Sequence, residues 1–161
     1  MESSFMGSAK LRELSGGTGM IDMRFCYSPK TAYTMLTNMG APGRAFYAKL
    51  LCLDFVFSVF FMFANSTLIT LLLRHIKADS RFLLLNILPV LRSIFDIFEN
   101  CFLFIMIFLY PRKLTAISII STIFTSVKWS IYGIALAVTL ALTAILIYKK
   151  SVKKIDAQYP V

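Results

Sequence analysis

Of the 161 residues, 58% are hydrophobic and the mean hydropathy is +0.74, which excludes an ordinary soluble domain, where apolar residues are spread over amphipathic elements. The apolar residues gather instead in three stretches, Phe46–Leu73, Phe82–Leu109 and Leu114–Tyr148, each longer than the roughly 20 residues that cross a hydrocarbon core. The net charge of +9 does not point to nucleic acid, because the basic residues flank the apolar runs as membrane anchors do.

Uninterrupted runs without alternation imply helices rather than a barrel, since every backbone amide in lipid needs an internal partner. The expected fold is all-α, an integral membrane helix bundle of three long transmembrane helices preceded by a short amphipathic helix. Residues 1–21 read as a polar flexible extension, rich in serine and glycine and without the apolar core of a secretory signal. A mitochondrial presequence is the alternative for the same segment. Residues 22–43 form the amphipathic segment: Ser28 caps, Pro29 suits the first helical position, and Ala32, Met35, Leu36 and Met39 share a face that Gly40 ends. Such a helix either lies flat in the interface or caps the bundle end.

Pro42-Gly43 is expected to break the chain before the bundle of residues 44–149, with helices at about 45–75, 81–110 and 113–149. Asp79 or Ser80 caps the second helix, Pro111 stops it, and Pro89 inside it predicts a kink. The third run of 35 residues is read as one helix of roughly 50 Å. Splitting it at Lys128–Gly133 would leave only 14 residues ahead of the break, too few to span. Residues 150–161 form a basic tail. Asn65-Ser66-Thr67 matches a glycosylation sequon but lies inside a span, where no oligosaccharide is attached.

Ionisable side chains interrupt the runs: Asp54 in the first, Arg92, Asp96 and Glu99 in the second, Lys128 in the third. A charge at mid-bilayer costs on the order of 3 kcal/mol on insertion scales, so such residues face inward and pair. Counted at about 1.5 Å per residue in three antiparallel helices, Asp54, Glu99, Asp96, Lys128 and Arg92 fall between roughly 14 and 27 Å from one end. At about 100° per residue Arg92, Asp96 and Glu99 share one face. Tyr47, Asp54, Ser58 and Asn65 share another, and Ser121, Thr125, Lys128 and Tyr132 a third. The expected site is therefore a buried polar cluster of Asp54, Arg92, Asp96, Glu99, Asn100 and Lys128. Its formal charge of −1 fits either a carboxyl that holds a proton or a salt-bridge network that fixes helix register.

A second stripe on the third helix, Ser118, Thr122, Ser126, Ser130, Gly133, Ala137 and Ala141, has the small-xxx-small spacing that lets another helix approach. It lies roughly 160° from Lys128 and is expected to face a partner helix of a homo-oligomer or larger complex. Cys26, Cys52 and Cys101 form no ligand spacing and read as buried free thiols. No metal site or cofactor is expected, because the His, Cys and carboxylate spacings that bind zinc or iron are missing. Lipid, anionic headgroups at the basic flanks and other transmembrane helices are the expected partners, with no nucleic acid.

Tyr27-Ser28-Pro29 with Ala32-Tyr33, Gly40, Gly43-Arg44 with Tyr47, then Asp54, Pro89, Asp96 with Glu99-Asn100, and Lys128-Trp129 together form a pattern. On these residues, over Asp22–Tyr148, the chain resembles a widespread, largely uncharacterised group of small multi-pass membrane proteins, mostly bacterial. The resemblance implies no activity. Those relatives usually carry an additional N-terminal spanning helix, where this chain has the polar Met1–Gly19.

The function expected is that of a non-catalytic integral membrane subunit or scaffold in a larger, energy-transducing complex, packed by the polar cluster and docked by the small stripe. An oligomeric proton-coupled transporter is the alternative, followed by a membrane enzyme acting on lipid or quinone through Asp96, Glu99 and Lys128. The membrane expected is a bacterial plasma membrane or an organelle inner membrane. Basic flanks place the C-terminus in the cytoplasm or matrix.

Overall fold

A computed structural model of the chain describes residues 9–13, 16–17 and 19–158, with side chains as far as 152. The outermost part of the expected N-terminal extension and the end of the basic tail lie outside these residues. After a helical stretch at residues 9–13 come α1 (Pro29–Asn38), α2 (Gly40–His75), α3 (Ile87–Phe108) and α4 (Thr115–Gln158), with a 3-10 segment at Ser80–Asn86 ahead of α3. The described residues contain no strand. Two helices, α2 and α4, are long and apolar enough to cross a membrane.

Both interior prolines act differently from the sequence expectation. Pro42 and Pro89 each stand third in their helix, within the first turn, whose N–H groups have no intrahelical acceptor. A ring there removes no bond. The chain therefore does not break at 42–43, and α2 begins at Gly40. The kink predicted at Pro89 is instead a change from 3-10 to α winding. Gly40 makes the corner between α1 and α2 with φ +60°, a left-handed conformation costly for any residue with a Cβ.

α1 packs one face against the end of the bundle. Ser28 Oγ accepts the Thr31 N–H at 3.1 Å, and Ala32, Tyr33, Met35 and Leu36 are buried. They join Tyr47 and Leu51 of α2 with Leu103 and Met106 of α3 in one apolar cluster. Tyr33 Oη accepts the Leu114 N–H at 2.6 Å. Arg44 donates to the Leu36 carbonyl at 2.9 Å and lies 4.0 Å from the centre of the Tyr110 ring. Within the segment expected to be a polar flexible extension, residues 9–13 are helical, and Leu11 and Ile21 are wholly buried in this cluster. Apolar side chains embedded in a polar stretch are the reason.

At the opposite end Ile69, Leu72 and Leu73 of α2 and Ile76 meet Leu142 of α4, and Lys149 Nζ donates to the Ile76 carbonyl at 2.7 Å. The two clusters fix the directions: α2 and α4 run parallel, with α3 antiparallel between them. Large apolar side chains such as Phe60, Phe63, Phe108 and Leu140 point outward, each more than 60% exposed; such an outer surface suits lipid rather than water. The three cysteines are free, but they are exposed, not buried. Their positions in apolar runs gave hydropathy without direction.

Replacing Gly40 by Ala is expected to cost about 1–2 kcal/mol, read as a lower midpoint of thermal unfolding in detergent, whereas Pro89→Ala should leave the midpoint nearly unchanged.

Candidate functional site

The spacing 92, 96, 99, 100, 103 winds one face of α3 inward, and 121, 125, 128 does the same on α4. Between them Lys128 reaches across. Its ammonium pairs with Asp96 Oδ1 at 2.9 Å and with Glu99 Oε2. Arg92 closes the other side of Asp96 at 2.8 Å, donates to Ser58 Oγ at 3.3 Å, and lies over the Phe61 ring. Asp96, Glu99 and Asn100 are fully buried. Thr125 Oγ1 donates to Glu99 Oε1 at 2.6 Å, so one carboxylate of Glu99 is held by two residues of α4.

Asp54 stands apart. Asn100 Nδ2 donates to its Oδ2 at 2.8 Å, but among the described residues it has no ion-pair partner. The structure thus gathers Arg92, Asp96, Glu99 and Lys128 into one ionic network and attaches Asp54 through Asn100 alone.

A further carboxylate enters from a segment that periodicity does not mark. Asp22, 4% exposed, is tucked beneath the α1 end. The Tyr47 hydroxyl donates to its Oδ1, and Trp129 Nε1 donates to its carbonyl at 3.1 Å. The one signal for it in the sequence is Tyr47, a phenol on a polar stripe that needs a partner. Burial pushes the Asp22 carboxyl above the usual carboxylate range. Nearby, Tyr27 bonds Ser121 Oγ at 2.7 Å, and burial pushes its phenol up to about 12.

Beside the network a cleft of about 520 Å³ opens between α2 and α4. Arg92, Asp96 and Lys128 form its floor, Phe57, Phe61, Trp129 and Tyr132 line its sides, and Asp22 and Asp54 face it.

The small stripe is divided. Ser118 is buried. Thr122 Oγ1 accepts the Tyr27 N–H at 3.0 Å, and Ser126 Oγ donates to the Phe25 carbonyl at 2.8 Å. The chain's own residues 25–27 therefore bond the part of α4 that the sequence reading left to a partner. Ser130, Gly133, Ala137 and Ala141 are exposed. No group of three or more His, Cys, Asp or Glu able to hold a metal occurs among the described residues.

Lys128→Met leaves buried Glu99 without a cation while Asp96 keeps Arg92, and it is expected to cost roughly 3–5 kcal/mol, measured by thermal or denaturant unfolding in detergent. Adding Glu99→Gln to that variant should recover part of the loss by removing one uncompensated charge. Asp22 gives a pH signature. Its raised carboxyl binds the proton more tightly in the folded chain, so this stabilisation is full below about pH 4 and is lost as pH rises through the raised value. Asp22→Asn, which keeps an oxygen for Tyr47, should flatten that slope in a pH series of unfolding midpoints. No family model, curated protein or solved structure matches the chain, so the use of this site rests on its own geometry.

Proposed function

We propose that the chain is an integral membrane protein crossing the bilayer three times, with α2, α3 and α4, and serves as a non-catalytic subunit or scaffold of a larger membrane complex. One observation carries the reading: α3 runs antiparallel between two parallel helices that each suffice to span. If α2 and α4 cross in the same direction, the chain between them has to return. The 22 residues of α3 measure about 33 Å, enough for the hydrocarbon core of about 30 Å. Hydropathy understates α3 because Arg92, Asp96 and Glu99 lie in it, yet those charges are paired with one another or with Lys128.

The structural role follows from how the cations are used. Lys128 and Arg92 are spent on Asp96 and Glu99, an arrangement that sets the register of α3 against α4 and supports the packing reading of the cluster. The docking face is the exposed half of the stripe, Ser130, Gly133, Ala137 and Ala141. A Cβ built on Gly133 meets nothing within 4 Å, so a partner helix has room to approach. The membrane proposed is a bacterial plasma membrane, as in the mostly bacterial group the chain resembles, or an organelle inner membrane, and the basic residues around Lys149 support that end facing cytoplasm or matrix.

Two measurements test this. In a variant freed of its native cysteines, Lys113→Cys and Lys77→Cys should react with impermeant reagent from opposite sides of sealed vesicles; labelling from the same side overturns the three spans. Purification in mild detergent should give an oligomer or a complex that Ala137→Phe dissociates. A strictly monomeric wild-type particle without partners overturns the subunit reading.

A further inference from the structure

We propose that the cleft between α2 and α4 binds a lipophilic organic cation, an apolar molecule bearing one protonated amine that enters sideways from the membrane. The argument starts from charge. Three carboxylates, Asp22, Asp54 and Asp96, and two cations, Arg92 and Lys128, line the cleft, and Glu99 lies behind Lys128 as its second partner. Both cations are engaged by Asp96 and Glu99. Asp22 and Asp54 are left with neutral donors alone, the Tyr47 hydroxyl and the Asn100 amide, and both face the cavity. Asp22 is more than nine-tenths buried. A carboxyl in so dry a place gains from a cation brought beside it, and among the described residues neither Asp22 nor Asp54 forms an ion pair.

The remaining lining specifies what kind of cation. A bare metal ion needs a close shell of oxygens, whereas this cleft of about 520 Å³ has the size of a small-molecule site, about 300–1,000 Å³. Its sides are Phe57, Phe61, Trp129 and Tyr132, rings that pack an apolar body and attract an ammonium over their faces. The access route is lateral: Met23, Leu53 and Phe57 at the mouth are 56–66% exposed on the outer surface of the bundle. A ligand that partitions into lipid reaches this mouth with its apolar part already desolvated. The lateral route rests on the membrane reading above. The binding chemistry does not.

Trp129 is the chain's single tryptophan and lines the cleft, which provides the readout. Full-length protein in a non-ionic detergent at pH 7 is titrated with N,N-dimethyldodecylamine while Trp129 fluorescence is followed, with dodecan-1-ol as the neutral molecule of equal chain length and sodium chloride as the inorganic cation. The amine is expected to give a saturable change at least about tenfold tighter than the alcohol, and Asp54→Asn to weaken the amine about tenfold while sparing the alcohol. Equal affinity for amine and alcohol overturns the proposal, as does an amine affinity untouched by both Asp54→Asn and Asp22→Asn. A saturable response to sodium that excludes the amine overturns it in favour of a metal-ion site. Should either variant fail to fold, the wild-type comparison of amine with alcohol decides alone. Because these titrations are done on the detergent particle, their failure is distinguishable from failure of the topology or of partner docking.

Discussion

Where the outer surface is as apolar as the inner one, burial of hydrocarbon gives helices little reason to choose one neighbour over another. The ammonium of Lys128 between Asp96 and Glu99 supplies that reason for α3 and α4. A slip of one helical position along either helix would part these charges in a region with no water to receive them, so the network penalises every register but one. The same interface carries a ring cluster in which Phe124 of α4 meets Phe95, Phe98 and Phe102 of α3 at centroid distances of 5.2–5.7 Å. Packing and charge thus agree on one alignment.

α2 is held by weaker means. Ser93 Oγ donates to the Ser58 carbonyl at 2.9 Å, Arg92 reaches Ser58 Oγ, Asn100 bonds Asp54, and Asn86 bonds Thr70 Oγ1 at 2.9 Å. No full ion pair joins α2 to either neighbour among the described residues. Its shared ends with α4 are closed by the two apolar clusters, and midway the two helices meet through the Phe61 and Tyr132 rings, 5.7 Å between centroids, beside the cleft. The cleft is what remains when two helices are pinned at their ends and each is fastened to a third along its length.

Much of this arrangement was legible in the residues. Three apolar runs and a helix before them account for the element order, and angular counting placed Arg92, Asp96, Glu99 and Lys128 on facing sides. What hydropathy could not convey was direction at single positions. Pro42 reads as a break ahead of the first long helix and Pro89 as a kink inside the second, because apolarity does not mark where the first turn of a helix lies. The cysteines looked buried because a membrane-facing side and a core-facing side have the same composition. Asp22 and the cover that residues 25–27 place on Thr122 and Ser126 depend on a non-helical segment folding back over more than 90 residues of sequence, and no local period encodes that return.

The bond from Lys149 to the Ile76 carbonyl has an electrostatic consequence. The C-terminus of α2 already carries Arg74 and His75 in its last turn, and Lys149 brings a further cation from α4 onto the same partial negative charge of the helix dipole. Lys150 and Lys77 stand in adjacent sequence. The result is a positive collar built from two helices, tied down by the backbone it neutralises. For a chain inserted as proposed above, that collar resists translocation as a unit, so the handedness of insertion is written into a tertiary contact as well as into the loops.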